Sequence, residues 1–171
     1  MLLYRPKLQI PLTRLDKILE IVALLLLVFI WVFSTVKYIR SPASIPIHFS
    51  IDGTPDKYGH KAFIFIMAGF STIFYVLFTI MNRYPHKFNY LRTITAENVE
   101  EQYTRMTRLM RWAKVIVLAF LLFTLNMVLM MIQPGHPAFH GYLMLAVGIV
   151  AGVGTPIAVA LYTAKPDKKN P

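Results

Sequence analysis

The chain has 171 residues, of which 56% are hydrophobic and only 15% charged, with a mean hydropathy of +0.53. A soluble domain of this length carries about a quarter charged residues. Cysteine is absent, which excludes disulfides, thiol catalysis, cysteine-ligated metals and c-type haem.

The apolar residues fall in four blocks, 21–36, 62–81, 115–132 and 142–163. A bilayer core of about 30 Å takes roughly 20 apolar residues as a helix. Lipid demands that every backbone group be satisfied internally, and these blocks lack the alternation of a membrane barrel. The expected fold is an all-α integral membrane protein, one membrane domain over 1–171 with four transmembrane helices.

The first helix is expected over about 14–39. Thr13-Arg14-Leu15-Asp16 after Pro11 reads as a capping box. Lys37-Tyr38-Ile39-Arg40 closes it where a signal peptide would carry a small-x-small site, so the helix is expected to be retained.

A polar loop over 41–61 follows. Ile45, Ile47, Phe49 and Ile51 alternate with Pro46, His48 and Ser50, which predicts an extended segment with one apolar face. Pro46 lacks an amide proton and confines that segment to an edge or a lone strand laid on the bundle. Asp52-Gly53 and Thr54-Pro55-Asp56 are turn chemistry, and Gly59 suits a second turn or a close backbone approach.

The second helix is expected over about 62–82, stopped by Pro85 in the aromatic hinge NRYPHKFNY. The third is expected over about 96–132, with its first third standing outside the membrane. Val99, Tyr103, Met106, Met110 and Ala113 form its apolar stripe, and Glu101 and Arg105 stand at i,i+4. Arg105, Arg108, Arg111 and Lys114 form a basic face with two readings: attraction of anionic lipid headgroups, or a solvated face with snorkelling anchors. The fourth helix, about 138–163, carries Gly148 and Gly152 at GxxxG spacing and a kink residue, Pro156.

The net charge of +10 is distributed as in a membrane protein and gives no nucleic-acid footprint. Only Lys37, Arg40, Lys57 and Lys61 flank one side; the remaining Lys and Arg lie before helix 1, between helices 2 and 3, and after helix 4. The positive-inside rule therefore predicts cytoplasmic termini and an extracytoplasmic 41–61 loop.

His48, Asp52, Asp56 and His60 recur every four residues, but the intervening prolines and glycines forbid the helix that would align them. His136 and His140 at the start of helix 4 are expected on the same outer surface. Imidazole and carboxylate suit zinc or a similar divalent metal, so His48, His60, His136 and His140 are the metal candidates. The competing reading makes them interfacial or hydrogen-bonding residues that hold the loop. No catalytic residue is assigned, since GxSxG, HExxH and a phosphate-binding glycine loop are all missing from the sequence. No ionisable residue is expected inside a helix bundle, which argues against an ion pathway. Asn126 reads as glue between helices.

Ile45-Pro46-x-His48-Phe49, Gly53, Pro55-Asp56, Tyr58-Gly59 and Lys61 together resemble the signature IPxHFxxxGxPDxYGxK. It marks a domain-of-unknown-function family of bacterial membrane proteins that includes the N-terminal part of the SdpI-type (sporulation-delaying-protein) immunity proteins. The similarity extends over roughly 8–132. Four expected helices are fewer than the SdpI type carries. The resemblance implies immunity to a secreted toxic peptide and signalling through a cytoplasmic regulator held at the membrane.

The combined expectation is a non-enzymatic protein of the bacterial inner membrane that senses or binds an extracytoplasmic peptide or protein, without cofactor. His48 and Asp56 make polar contacts, Gly53 and Gly59 serve the backbone, and Lys61 anchors helix 2. A metal-binding membrane protein is the alternative, and a membrane enzyme acting on a lipid-linked substrate the third.

Overall fold

A computed structural model describes residues 5–50, 54–130 and Gly148. Three helices dominate: α1 (Arg14–Arg40), α2 (Ile64–Met81) and α3 (Val99–Met130). All three are long and apolar enough to cross a membrane, which marks the chain as a multi-pass membrane protein. The predicted fourth helix, with His136 and His140, lies outside the described residues except for Gly148. That residue is helical, and a methyl group on it would meet the Phe120 ring of α3 at 3.6 Å.

The helix α1 starts as its sequence dictates. Thr13 caps it, its hydroxyl accepting from the Asp16 amide while the Asp16 carboxylate accepts from the Thr13 amide at 3.0 Å. With 27 residues it is about 40 Å long, more than a hydrocarbon core needs. α3 begins at Val99, later than the expected 96. The cause is Asn98, whose side chain accepts from the Thr95 amide and donates to the Thr93 carbonyl, folding 95–98 into a turn.

The fold is not all-α. Between α1 and α2 lies an antiparallel hairpin of β1 (Ser44–Phe49) and β2 (Pro55–His60), with residues 51–53 outside the described residues. The Ser50 amide donates to the Thr54 carbonyl at 2.8 Å and closes it. The pairing register skips Ile47 on β1 and Asp56 on β2. Such irregularities re-aim side chains. Ile47 is turned over Gly59, where a β-carbon would sit 2.8 Å from its Cδ1, so glycine serves a close approach there.

The hairpin is seated on the bundle. Ile45 is fully buried and joins the main core with Ala23, Ile30, Ile64, Ala68, Leu118, Leu125 and Leu129 from all three helices. Burying one isoleucine contributes about 1.5–3 kcal/mol. At the hairpin base the Lys61 amide donates to Ala43, and the Lys61 ammonium lies 4.6 Å from the Tyr38 ring centre, within 3.4 Å of the Ser41 carbonyl. On the outer surface of the bundle Trp31 Nε1 donates to Thr72 Oγ1 at 3.0 Å and joins α1 to α2.

A second, smaller core closes the opposite end. Ile94, Val99 and Tyr103 pack with Ile10 and Tyr90. The N-terminal segment is strapped across it: Arg5 donates to the Phe88 carbonyl and Tyr103 Oη to the Pro6 carbonyl. Burial, together with the neighbouring Tyr103, pushes the Tyr90 phenol well above its ordinary range.

Candidate functional site

The residues of the sequence signature gather on the hairpin, in two opposed roles. Ile45 and Pro46 are buried, Ile45 in the cluster shared with the helices, while His48, Asp56, Lys57 and Tyr58 are exposed. His48 Nδ1 lies 2.6 Å from Asp56 Oδ1, and Ser50 Oγ donates to Asp56 Oδ2 at 3.2 Å. The irregular register at Asp56 is what brings this carboxylate beside His48. The hydrogen bond with His48, with smaller help from Ser50, holds the Asp56 carboxyl below its usual range.

Two other signature residues hold the hairpin in place. Gly59 admits Ile47, and Lys61 ties the hairpin base to the end of α1. Phe49 and Pro55 pair at the far end of the ladder, and Gly53 lies outside the described residues. His60 is separate from the His48 pair: its Nδ1 accepts from the Ala62 amide at 3.2 Å and caps the 3₁₀ turn Lys61–Phe63. Among the described residues no group of three or more His, Asp or Glu stands close enough to hold a metal ion. His136 and His140 are outside that set.

The basic face of α3 is not where the sequence placed it. Arg108, Arg111 and Lys114 turn toward α1. Arg108 Nε bonds Asp16 Oδ1 at 3.1 Å, and Arg111 Nε bonds Glu20 Oε1 at 3.1 Å. Lys114 Nζ donates to Glu20 Oε2 at 2.5 Å and to Thr79 Oγ1 of α2 at 3.1 Å. Its ammonium also lies 4.7 Å from the Tyr75 ring centre. Arg105 pairs with Glu101 one turn back on α3.

Lys114 is therefore 0% exposed, which corrects the expectation that no ionisable group lies inside the bundle. The physical reason is complementarity. Asp16 and Glu20 stand at i,i+4 on one face of α1, and the cations of α3 recur at three-residue steps opposite them. A snorkelling lysine needs water; this one finds a carboxylate, a hydroxyl and an aromatic face. Among the described residues the Asn126 amide contacts Met130 on its own helix, and the predicted fourth helix, but for Gly148, lies outside the described residues.

Comparison with known proteins bears on the hairpin. A family model described as a domain of unknown function (DUF1648) matches residues 25–72. That stretch holds the hairpin, the Trp31–Thr72 link and the Ile45 contacts on α1 and α2. An uncharacterized protein of Archaeoglobus fulgidus is 29% identical over 87 residues, covering 46% of this chain and 48% of that protein. The chain thus spans about half the length of this relative. No solved structure matches the chain.

Two outcomes are expected from this geometry. Removing one partner of the buried pair, by Lys114→Met or Glu20→Gln, costs about 3–5 kcal/mol of stability, whereas Glu20→Leu with Lys114→Met together costs much less than the sum; denaturant unfolding in detergent micelles measures all of them. Because Asp56 has a lowered carboxyl pKa, its contribution to hairpin order is complete above its unfolded value of about 3.8 and is lost as pH falls through the lower folded value. An acid titration of backbone amide shifts over 44–60 follows that loss, and Asp56→Asn abolishes the step.

Proposed function

We propose that this is a non-enzymatic sensing or binding protein of the bacterial inner membrane, with the hairpin on the extracytoplasmic side and the termini in the cytoplasm. One observation carries the reading: the hairpin divides into a buried anchor and an exposed polar face. Ile45, Pro46, Gly59 and Lys61 account for its seating, and that seating makes no use of His48, Asp56 or Tyr58. A rigid polar surface held above a membrane bundle suits recognition of a secreted peptide or protein.

The placement of cations supports this orientation, because Lys and Arg concentrate at the end opposite the hairpin. The resemblance of the hairpin residues to the SdpI-type signature supports toxic-peptide immunity as the particular role. The small core of Ile94, Val99 and Tyr103 would then face the cytoplasm, where a regulator can dock. A metal reading has less support, since His60 is occupied as a cap and is not joined to His48.

A survival assay tests the proposal. Cells carrying the wild-type chain are challenged with secreted membrane-active peptides beside cells carrying His48→Ala or Asp56→Ala at equal membrane abundance. Protection by the wild type, reduced at least tenfold in both variants, is the expected result. Equal killing of wild-type and empty cells across the peptides contradicts the immunity role.

A further inference from the structure

The ion pairing of α3 leaves a different set of cations at the surface. Among the described residues Lys7, Arg14, Lys17, Arg83 and Lys87 are exposed, belong to no ion pair and lie at the end of the bundle opposite the hairpin. Their height follows from Lys114. Glu20 and Thr79 both bond its Nζ, so these positions of α1 and α2 share a layer. Lys17 and Arg83 stand about one helical turn nearer the end, and Arg14 the next turn out.

Exposed apolar side chains are interleaved with them. Leu12, Leu15 and Ile18 flank Arg14 and Lys17, and Tyr84 lies under the Lys87 ammonium at 4.9 Å. Leu91 of the connector is 69% exposed. The exposed acids Glu97 and Glu100 lie beyond Arg14, Lys17 and Arg83: Glu100 is about 20 Å along α3 from Lys114, whereas Lys17 and Arg83 are about one helical turn from it, and only Lys7, beside the Pro6 carbonyl that Tyr103 bonds, is near the start of α3. Asp16 and Glu20 are already engaged with α3.

We propose that this collar is a binding surface for anionic phospholipid, the cations holding headgroup phosphates and the leucines entering the acyl boundary beneath. A surface with surplus positive charge and protruding apolar groups at bilayer height is complementary to an anionic leaflet. Arg105, Arg108, Arg111 and Lys114, each already engaged with carboxylates of the protein, take no part.

Native mass spectrometry of the full chain, titrated separately with phosphatidylglycerol, phosphatidylcholine and inorganic phosphate, tests this. Phosphatidylglycerol adducts are expected to exceed phosphatidylcholine adducts about tenfold. Arg14→Gln, Lys17→Gln, Arg83→Gln and Lys87→Gln together bring the ratio near one, while Arg105→Gln leaves it unchanged. Melting curves establish that the variants fold; if the combined variant does not, Lys17→Gln and Arg83→Gln singly each lower the ratio about twofold. Equal binding of the two lipids by the wild type, or a ratio that survives the substitutions, overturns the proposal. Inorganic phosphate that binds saturably and displaces phosphatidylglycerol also overturns it, in favour of a site for free phosphate.

Discussion

The three described helices meet at one buried ammonium group. Lys114 of α3 bonds Glu20 of α1 and Thr79 of α2 and lies against Tyr75 of α2. A lysine without water is costly unless its donors are met, and here two hydrogen bonds and an aromatic face, all from other helices, meet it. That requirement fixes the helices in height and rotation relative to each other. α1 and α3 run parallel, so Asp16 meets Arg108 where Glu20 meets Arg111 and Lys114. Apolar packing alone, as in the Leu118 and Leu125 layer, would tolerate sliding between helices far better than this charged layer does.

The hairpin at the opposite end depends on that alignment. Ile45 belongs to one buried cluster with residues of α1, α2 and α3, and that cluster depends on the three helices being in register. Lys61 and Tyr38 then fix the hairpin base where the chain leaves α1 and returns to α2. A polar surface built this way carries little freedom of its own. His48 and Asp56 hold each other across the ladder, and the bundle holds the ladder.

Much of this was legible in the sequence. Long runs of hydrocarbon side chains dictate spanning helices, and the described residues contain three. The Thr13–Asp16 cap and the extended character of 44–49 follow from local chemistry, as does the close approach at Gly59. Two features were not legible, for definite reasons. The strand β2, Pro-Asp-Lys-Tyr-Gly-His, has no alternation of apolar residues because neither of its faces is buried; it is a strand only because β1 pairs with its backbone. The charged layer was missed because the pairing joins residues more than ninety positions apart. Periodicity reads one helix at a time. The available signal was the i,i+4 spacing of Asp16 and Glu20 on a helix otherwise poor in charge.

The claim on which the functional account rests is the side of the membrane that the hairpin occupies. The chain has no cysteine, so single introduced thiols report location without background. Tyr58→Cys and Lys87→Cys place one on the hairpin and one at the opposite end. A membrane-impermeant maleimide applied to intact cells should label the Tyr58→Cys protein at once and the Lys87→Cys protein only after lysis. The reverse pattern would put the hairpin in the cytoplasm and contradict extracytoplasmic recognition.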